Sequence, residues 1–153
     1  MGDVRNRRVI VGVDAKGRSA VISDENDLAC NERPNGILLQ EIWWQARVPA
    51  RADDGGVRIG EIGLAPPPSG AVIRLLTVPP TSVAANGWAP DLHYDDSLHV
   101  ITMTSGELDI VLEEGEVTLR VGDSVILPGS VHDLRNSTDE RASFVYTSFP
   151  LVR

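Results

Sequence analysis

Short runs of strand-like residues, evenly separated by turns, limit what the second half of this chain can fold into. The runs cover residues 98–104, 107–113, 116–121, 124–128, 131–136 and 142–149. Turn-forming pairs separate them, as at Ser105-Gly106, Glu114-Gly115, Gly122-Asp123 and Pro128-Gly129. Short strands at this spacing predict an all-β sandwich or barrel.

The first half of the chain also favours strands. Residues 9–13 and 19–23 flank Asp14-Ala15-Lys16-Gly17, which predicts a hairpin. Longer strands are expected at 37–48 and 71–78, whereas 24–32 could hold a short helical turn. The chain has 153 residues and no internal repeat, so one domain is predicted. Residues 1–70 would form an N-terminal arm and outer strands, and residues 71–153 the barrel.

Charge and cysteine content exclude several classes of partner and site. The net charge of −8 argues against nucleic acid or an anionic membrane as a partner. No apolar run is long enough to span a membrane, and residues 1–8 lack the apolar core of a signal peptide, so we expect a cytoplasmic protein. Cys30 is the single cysteine, which excludes an internal disulfide and a cysteine-based zinc site.

The three histidines, His93, His99 and His132, all lie beyond residue 92. On an unbroken strand, His93, Asp95 and His99 would share one face, because alternate side chains point the same way. His132 lies on a later strand, which could face them across a closed barrel. Three imidazoles and a carboxylate suit a divalent transition metal. The alternatives are a metal-free polar pocket, or a register in which one histidine points outward.

These residues resemble the two motifs of the cupin superfamily. The first motif is G-x5-H-x-H-x3,4-E-x6-G, and the second is G-x5-P-x-G-x2-H-x3-N. The first is matched by Gly87, His93, Asp95, His99 and Gly106, and the second by Gly122, Pro128, Gly129, His132 and Asn136, with one residue missing between the proline and the glycine. The resemblance covers about residues 71–149. It implies a small single-domain jelly-roll barrel, often a dimer, with a metal at its centre.

Two positions depart from the family pattern. Asp95 occupies the second histidine position and His99 the glutamate position, so the donors remain three histidines and one carboxylate in a different order. Asp96 would be a rival ligand if a bulge displaced the strand. Gly106 and Gly122 are expected at turns, and Asn136 is expected to order a turn with Ser137.

Several other side chains could line a pocket. Trp43 and Trp44 point to opposite faces of a strand, so at most one is expected to face the interior, and core packing is the default for each. Trp88 is the third tryptophan of the chain. Tyr146 shares a face with Phe144 on the last predicted strand. Outward positions are expected for Arg74 and Arg120, and a solvated face for Glu107, Asp109 and Glu113.

Three functions fit this pattern. The favoured one is a metal-dependent enzyme acting on a small organic molecule, with one divalent ion (Fe, Mn, Ni or Zn) held by His93, Asp95, His99 and His132. The reaction could be an oxygenation, decarboxylation, isomerisation, cyclisation or lyase reaction. A metal-free enzyme would use His93 or His99 as a base paired with Asp95. A binding module without turnover is the third. The long arm before the barrel also predicts a homodimer.

Overall fold

The computed structural model describes residues 6–60, 62–83 and 89–153. Within these ranges the chain forms β-strands, one short 3-10 helix at Thr81–Val83, and no α-helix. The all-β prediction is confirmed. The helical turn expected at 24–32 is wrong, because this stretch contains the end of one strand, a loop and a two-residue strand. Gly87 and Trp88 lie outside the described residues.

The larger sheet of the barrel is antiparallel and has the order β3-β4-β5-β11-β6-β9. Its strands are β3 (Asn31–Glu32), β4 (Leu38–Gln45), β5 (Ala71–Val78), β6 (Ser97–Ser105), β9 (Ser124–Pro128) and β11 (Ala142–Pro150). β6 shows the alternation of a strand with one covered face, since Ser97, His99, Ile101 and Met103 are buried and the residues between them are not. This alternation turns His99 into the protein.

A smaller sheet closes the barrel over this face. It has the order β10-β7-β8, formed by β7 (Glu107–Leu112), β8 (Gly115–Arg120) and β10 (Asp133–Arg135). Leu108 and Ile110 of β7 pack in one cluster with Met103 of β6 and Phe144 of β11. Gly106, in the tight turn between β6 and β7, has φ +71°, a left-handed conformation that favours glycine. The apolar core therefore lies between the two sheets.

The strands β1 (Arg8–Val13) and β2 (Ser19–Glu25) form a hairpin sheet of their own. The predicted hairpin is confirmed. Val9, Val11, Val13 and Val21 are between 43% and 69% exposed. Val11 pairs directly with Val21, so these valines share one outer face of the hairpin. The division of the chain at residue 70 stays a prediction.

The strand predicted to carry His93, Asp95 and His99 on one face is interrupted. β6 begins at Ser97, and His93 belongs to a separate single bridge with His132. Residues 94–96 lie outside any strand, so strand parity does not control the direction of Asp95. The histidines are nevertheless brought together, by the bridge and by the barrel closure.

Candidate functional site

The candidate site is built around the backbone bridge between His93 and His132. They face each other in an antiparallel bridge, in which each backbone N–H donates to the other residue's carbonyl at 3.0 and 2.9 Å. Directly opposite residues of an antiparallel pair project from the same face. Their rings accordingly lie close together, with centroids 5.0 Å apart. The bridge thus holds two imidazoles next to each other on two loops.

Hydrogen bonds at Nδ1 fix the tautomer of both rings. His93 Nδ1 lies 2.7 Å from the carbonyl oxygen of Asp91, and His132 Nδ1 lies 2.8 Å from that of Ser130. A carbonyl oxygen only accepts hydrogen bonds, so Nδ1 carries the hydrogen in each ring. In the neutral form Nε2 then keeps its lone pair. Histidines that bind metals are commonly oriented by such a contact.

His99 is the buried member of the cluster, with 3% exposure, and its ring centroid lies 5.9 Å from that of His132. Its Nε2 lies 3.0 Å from Asp95 Oδ1, whose side chain is half exposed. Its Nδ1 lies 3.0 Å from Ser148 Oγ and 2.8 Å from the hydroxyl of Tyr146. Burial lowers the pKa of His99, with Asp95 partly opposing this. In the neutral ring shown here, Nε2–H donates to Asp95.

Tyr146 lies beside His99 on the neighbouring strand β11. Their rings are 4.8 Å apart between centroids. Burial raises the pKa of Tyr146 to about 12, so its hydroxyl keeps its proton at neutral pH. The hydroxyl can therefore donate to Nδ1 of His99. Phe144, two residues earlier, is fully buried and shares the inner face, as predicted.

A buried ion pair occupies the next row of the same sheet face. Arg74 lies opposite both Tyr146 and Glu41, and its side chain is completely buried. It donates to the carbonyls of Leu64 and Gly63 and lies 3.3 Å from Glu41, which also binds Arg58. The outward position predicted for Arg74 is wrong. The signal was available, because β5 is apolar on both sides of this arginine and is therefore covered on both faces.

The two tryptophans on β4 are both half-buried and have different surroundings. Trp44 pairs with Val72 on the face that also carries Ser148, and the Arg58 guanidinium covers its ring at 3.5 Å. Trp43 donates from Nε1 to Gln45 and packs so closely on Gly56 that a Cβ there would lie 2.0 Å from the ring. A cavity of about 340 Å³ lies next to Arg58 and Glu41, and no histidine lines it.

Other expected positions are resolved by the structure. Asp96 binds Arg153 at 2.8 Å and does not face the histidines. Asp109, expected on a solvated face, is buried and accepts hydrogen bonds from Thr118, Ser137 and Arg135, because β8 and the β10 region cover it. Asn136 is fully buried and donates to the carbonyls of Val78 and Glu140, so its role is structural as predicted, although Thr138 rather than Ser137 bonds its side-chain oxygen.

Comparison with known proteins agrees with this architecture. Residues 78–148 match the family model described as the cupin domain. This chain contains a cupin domain. The matched segment contains all three histidines, the strands from β6 to β10 and residues 142–148 of β11.

Two structural neighbours and one sequence relative illustrate where the cupin similarity lies. An RmlC-like cupin from Shewanella frigidimarina has a TM-score of 0.54 at 12% identity, over 80% of this chain and 84% of its own. The putative ethanolamine utilization protein Q of Salmonella typhimurium has a TM-score of 0.52 at 11% identity, over 97% and 99%. A cupin-domain-containing oxidoreductase of Neurospora crassa is 28% identical over 92% of this chain and 71% of its own length. The structural likenesses support the jelly-roll barrel.

Two absences apply to the described ranges. Among these residues, no helix is long and apolar enough to cross a membrane. In the same part of the chain, no three His, Cys, Asp or Glu side chains are placed so that together they could hold a metal ion. The histidine cluster therefore has the residue types of a metal site, with the carboxylate of Asp95 turned to His99 instead of to a shared centre.

Proposed function

We propose that this cupin is an enzyme acting on a small organic molecule, with one divalent metal ion (Fe, Mn, Ni or Zn) bound by His93, Asp95, His99 and His132. The observation that carries the proposal is the bridge between His93 and His132. Both rings use Nδ1–H on a backbone carbonyl, which leaves two Nε2 lone pairs for a ligand. Three imidazoles with one carboxylate are a donor set that these metals accept.

The hydrogen bonds around His99 are compatible with metal binding, although its present contact with Asp95 is not itself a metal geometry. Binding through Nε2 requires the hydrogen to sit on Nδ1. Ser148 Oγ and the Tyr146 hydroxyl, both within 3.0 Å of Nδ1, can accept that hydrogen as well as donate one. His99 can therefore change tautomer and keep a hydrogen bond at Nδ1, while Nε2 gives up its hydrogen bond to Asp95. A bound metal would supply Lewis acidity to a coordinated substrate oxygen.

The chain's own residues would position the substrate and handle protons. When no metal is bound, the Nε2 atoms of His93 and His132 can accept from a substrate hydroxyl or amine. In the same metal-free state, Asp95 is about half exposed, so its second oxygen can contact a molecule in the site while the first accepts from His99. Tyr146 keeps its proton and fixes the ring of His99. The name of the Neurospora relative supports an oxidation among the candidate reactions, which also include decarboxylation, isomerisation, cyclisation and lyase reactions.

The test is metal content and affinity. Elemental mass spectrometry of the untagged protein, and calorimetric titration of the metal-free protein, should give about one ion per chain. His132→Ala should lose it. Asp53→Asn, an exposed aspartate distant in sequence from the site, is the control and should keep it. Wild-type protein that binds none of the four metals after reconstitution contradicts the metal proposal.

The His99–Asp95 contact of 3.0 Å favours a second candidate, a metal-free enzyme in which this pair acts as an acid–base dyad. In that case Asp95→Asn and His99→Gln lower turnover, and the metal content of wild type and variants is equally negligible. Full activity in both variants removes this candidate. A binding module without turnover is the remaining alternative, supported if a ligand identified by screening binds and is never converted.

We also propose a homodimer formed through the valine face of the β1–β2 hairpin. Asp24, which lies opposite Val9, and Asp14 are paired with Arg7 and Arg18 within the hairpin, so these carboxylates carry no unpaired charge on this face. Such a face fits an identical copy in a symmetric contact. Val11→Asp should shift the wild-type dimer to monomer in sedimentation equilibrium, and Val117→Asp should not. A monomeric wild type at micromolar concentration contradicts this.

The cytoplasmic location stays a prediction, to be checked by cell fractionation.

A further inference from the structure

We infer that Arg153 is a positioning residue, which clasps together the two loops that carry His93 and His132. The inference rests on the proposed function only in so far as those histidines form the site. The loops are the 91–96 segment before β6 and the 129–132 segment before β10. The β6–β9 ladder ends beside both loops, at Leu98 and Pro128, and beyond it His93 and His132 share a single bridge.

Arg153 contacts both loops at once. Its Nε donates to Asp96 Oδ1 at 2.8 Å, and its guanidinium lies 5.5 Å from the ring centroid of Tyr94. These contacts hold the loop of His93 and Asp95. Its Nη2 donates to the carbonyl of Gly129 at 3.0 Å, on the loop of His132. One side chain therefore spans the two sides of the site.

The backbone around Arg153 is shaped for this contact. Leu151 N–H donates to the carbonyl of Asp96 at 2.8 Å, so the 151–153 segment runs along the first loop. Gly129 has φ +67°, and a Cβ there would lie 2.8 Å from Arg153 Nη2 and 2.9 Å from Leu151 Cδ2. Glycine thus lets the 151–153 segment approach the second loop. Gly129 N–H also donates to Ser97 O, which joins the loops where the clasp lies.

The consequence concerns the spacing of the two imidazoles. A two-hydrogen-bond bridge opens more easily when its flanks lose a restraint, and Arg153 acts here beside the hydrogen bond from Gly129 N–H to Ser97 O. Each flank is three residues from its histidine, at Asp96 and at Gly129, and Arg153 binds both. Losing the clasp should leave the barrel folded, since Arg153 is 58% exposed, and should loosen the His93–His132 pair.

The experiment compares Arg153→Ala, Arg153→Lys and Arg120→Ala. Arg120 is the matched control, because it is also exposed and paired, with Glu107 at 3.0 Å. NMR hydrogen exchange on the metal-free protein should show the backbone amides of His93 and His132 exchanging about fivefold faster in Arg153→Ala, the upper range for loss of an exposed ion pair. Arg153→Lys should recover part of the protection, and Arg120→Ala should match wild type. Unchanged exchange at both amides in Arg153→Ala overturns the inference.

A second measurement separates the clasp from the proposed metal. Titration with Co²⁺ should show about fivefold weaker binding in Arg153→Ala and wild-type affinity in Arg120→Ala. If wild type binds neither Co²⁺ nor any of the four proposed metals, the metal proposal fails, while the exchange result still decides the clasp. Asp96→Asn should reproduce the faster exchange and add little to Arg153→Ala, because both remove one contact. Full additivity of the two changes contradicts a shared clasp.

Discussion

Glu41→Gln is expected to destabilise the protein strongly, because it leaves the buried cation Arg74 without its carboxylate. Arg74 is completely buried and Glu41 is 7% exposed. Burial lowers the pKa of Arg74, and the charge of Glu41 opposes that shift. The same carboxylate also binds Arg58, which covers Trp44. One neutralised side chain therefore disturbs the inner face of the barrel in two places.

The expected loss of unfolding free energy follows from the burial of the pair. Removing one partner of a buried ion pair costs about 3–5 kcal/mol. The lower end, about 3 kcal/mol, applies here because the carbonyls of Gly63 and Leu64 still accept from Arg74 and the glutamine oxygen can still accept one hydrogen bond. For a chain of this size that loss corresponds to a melting temperature lower by roughly 6–12 °C.

Urea titration followed by circular dichroism and tryptophan fluorescence measures this change. Glu107→Gln is the control, because the Glu107–Arg120 pair has 43% and 67% side-chain exposure and should contribute less than about 0.5 kcal/mol. A loss in Glu41→Gln no larger than that in Glu107→Gln would show that the Arg74–Glu41 pair is not a net source of stability. The reasoning from burial would then be refuted.

Three further changes test other parts of the fold. Burial raises the pKa of Asp109, but hydrogen bonds from Thr118, Ser137 and Arg135 outweigh it and hold the pKa below its usual range. Asp109→Asn should therefore lower the unfolding free energy at pH 7, and the gap between variant and wild type should narrow below about pH 4 in urea titrations. A gap that does not change with pH would contradict this. Gly106→Ala should lower the stability by about 2 kcal/mol or more in thermal denaturation, because its Cβ would meet Arg141 O at 2.9 Å. This loss should exceed that of Gly115→Ala, where φ is also positive but no atom lies within 4 Å of the added Cβ. Asn136→Ala should cost about 2–3 kcal/mol, because it removes the buried hydrogen bonds to the carbonyls of Val78 and Glu140. The exposed Asn35→Ala should cost less than about 0.5 kcal/mol, and equal losses in the two variants would contradict the argument.

Local sequence is enough to predict most of the strands. Residues 71–78 and 124–128 are predicted with the bounds that β5 and β9 have. Apolar alternation and turn glycines act within a few residues, and the local backbone responds to them directly. The same is true of the candidate ligands, because the cupin motif spacing selects His93, Asp95, His99 and His132 before any fold is known.

The partners of these side chains were decided by tertiary structure. His99 meets Tyr146 and Ser148, which are 47 and 49 residues away, because β6 and β11 pair in one particular register. Arg74 becomes buried because Glu41, 33 residues away, faces it from β4. The apolar run of β5 indicates that Arg74 is covered, but a strand's own sequence does not show which strand covers it or which side chains it will contact. The sequence thus determined the strands and the candidate ligands, and the closure of the barrel determined which of those side chains are buried and what they contact.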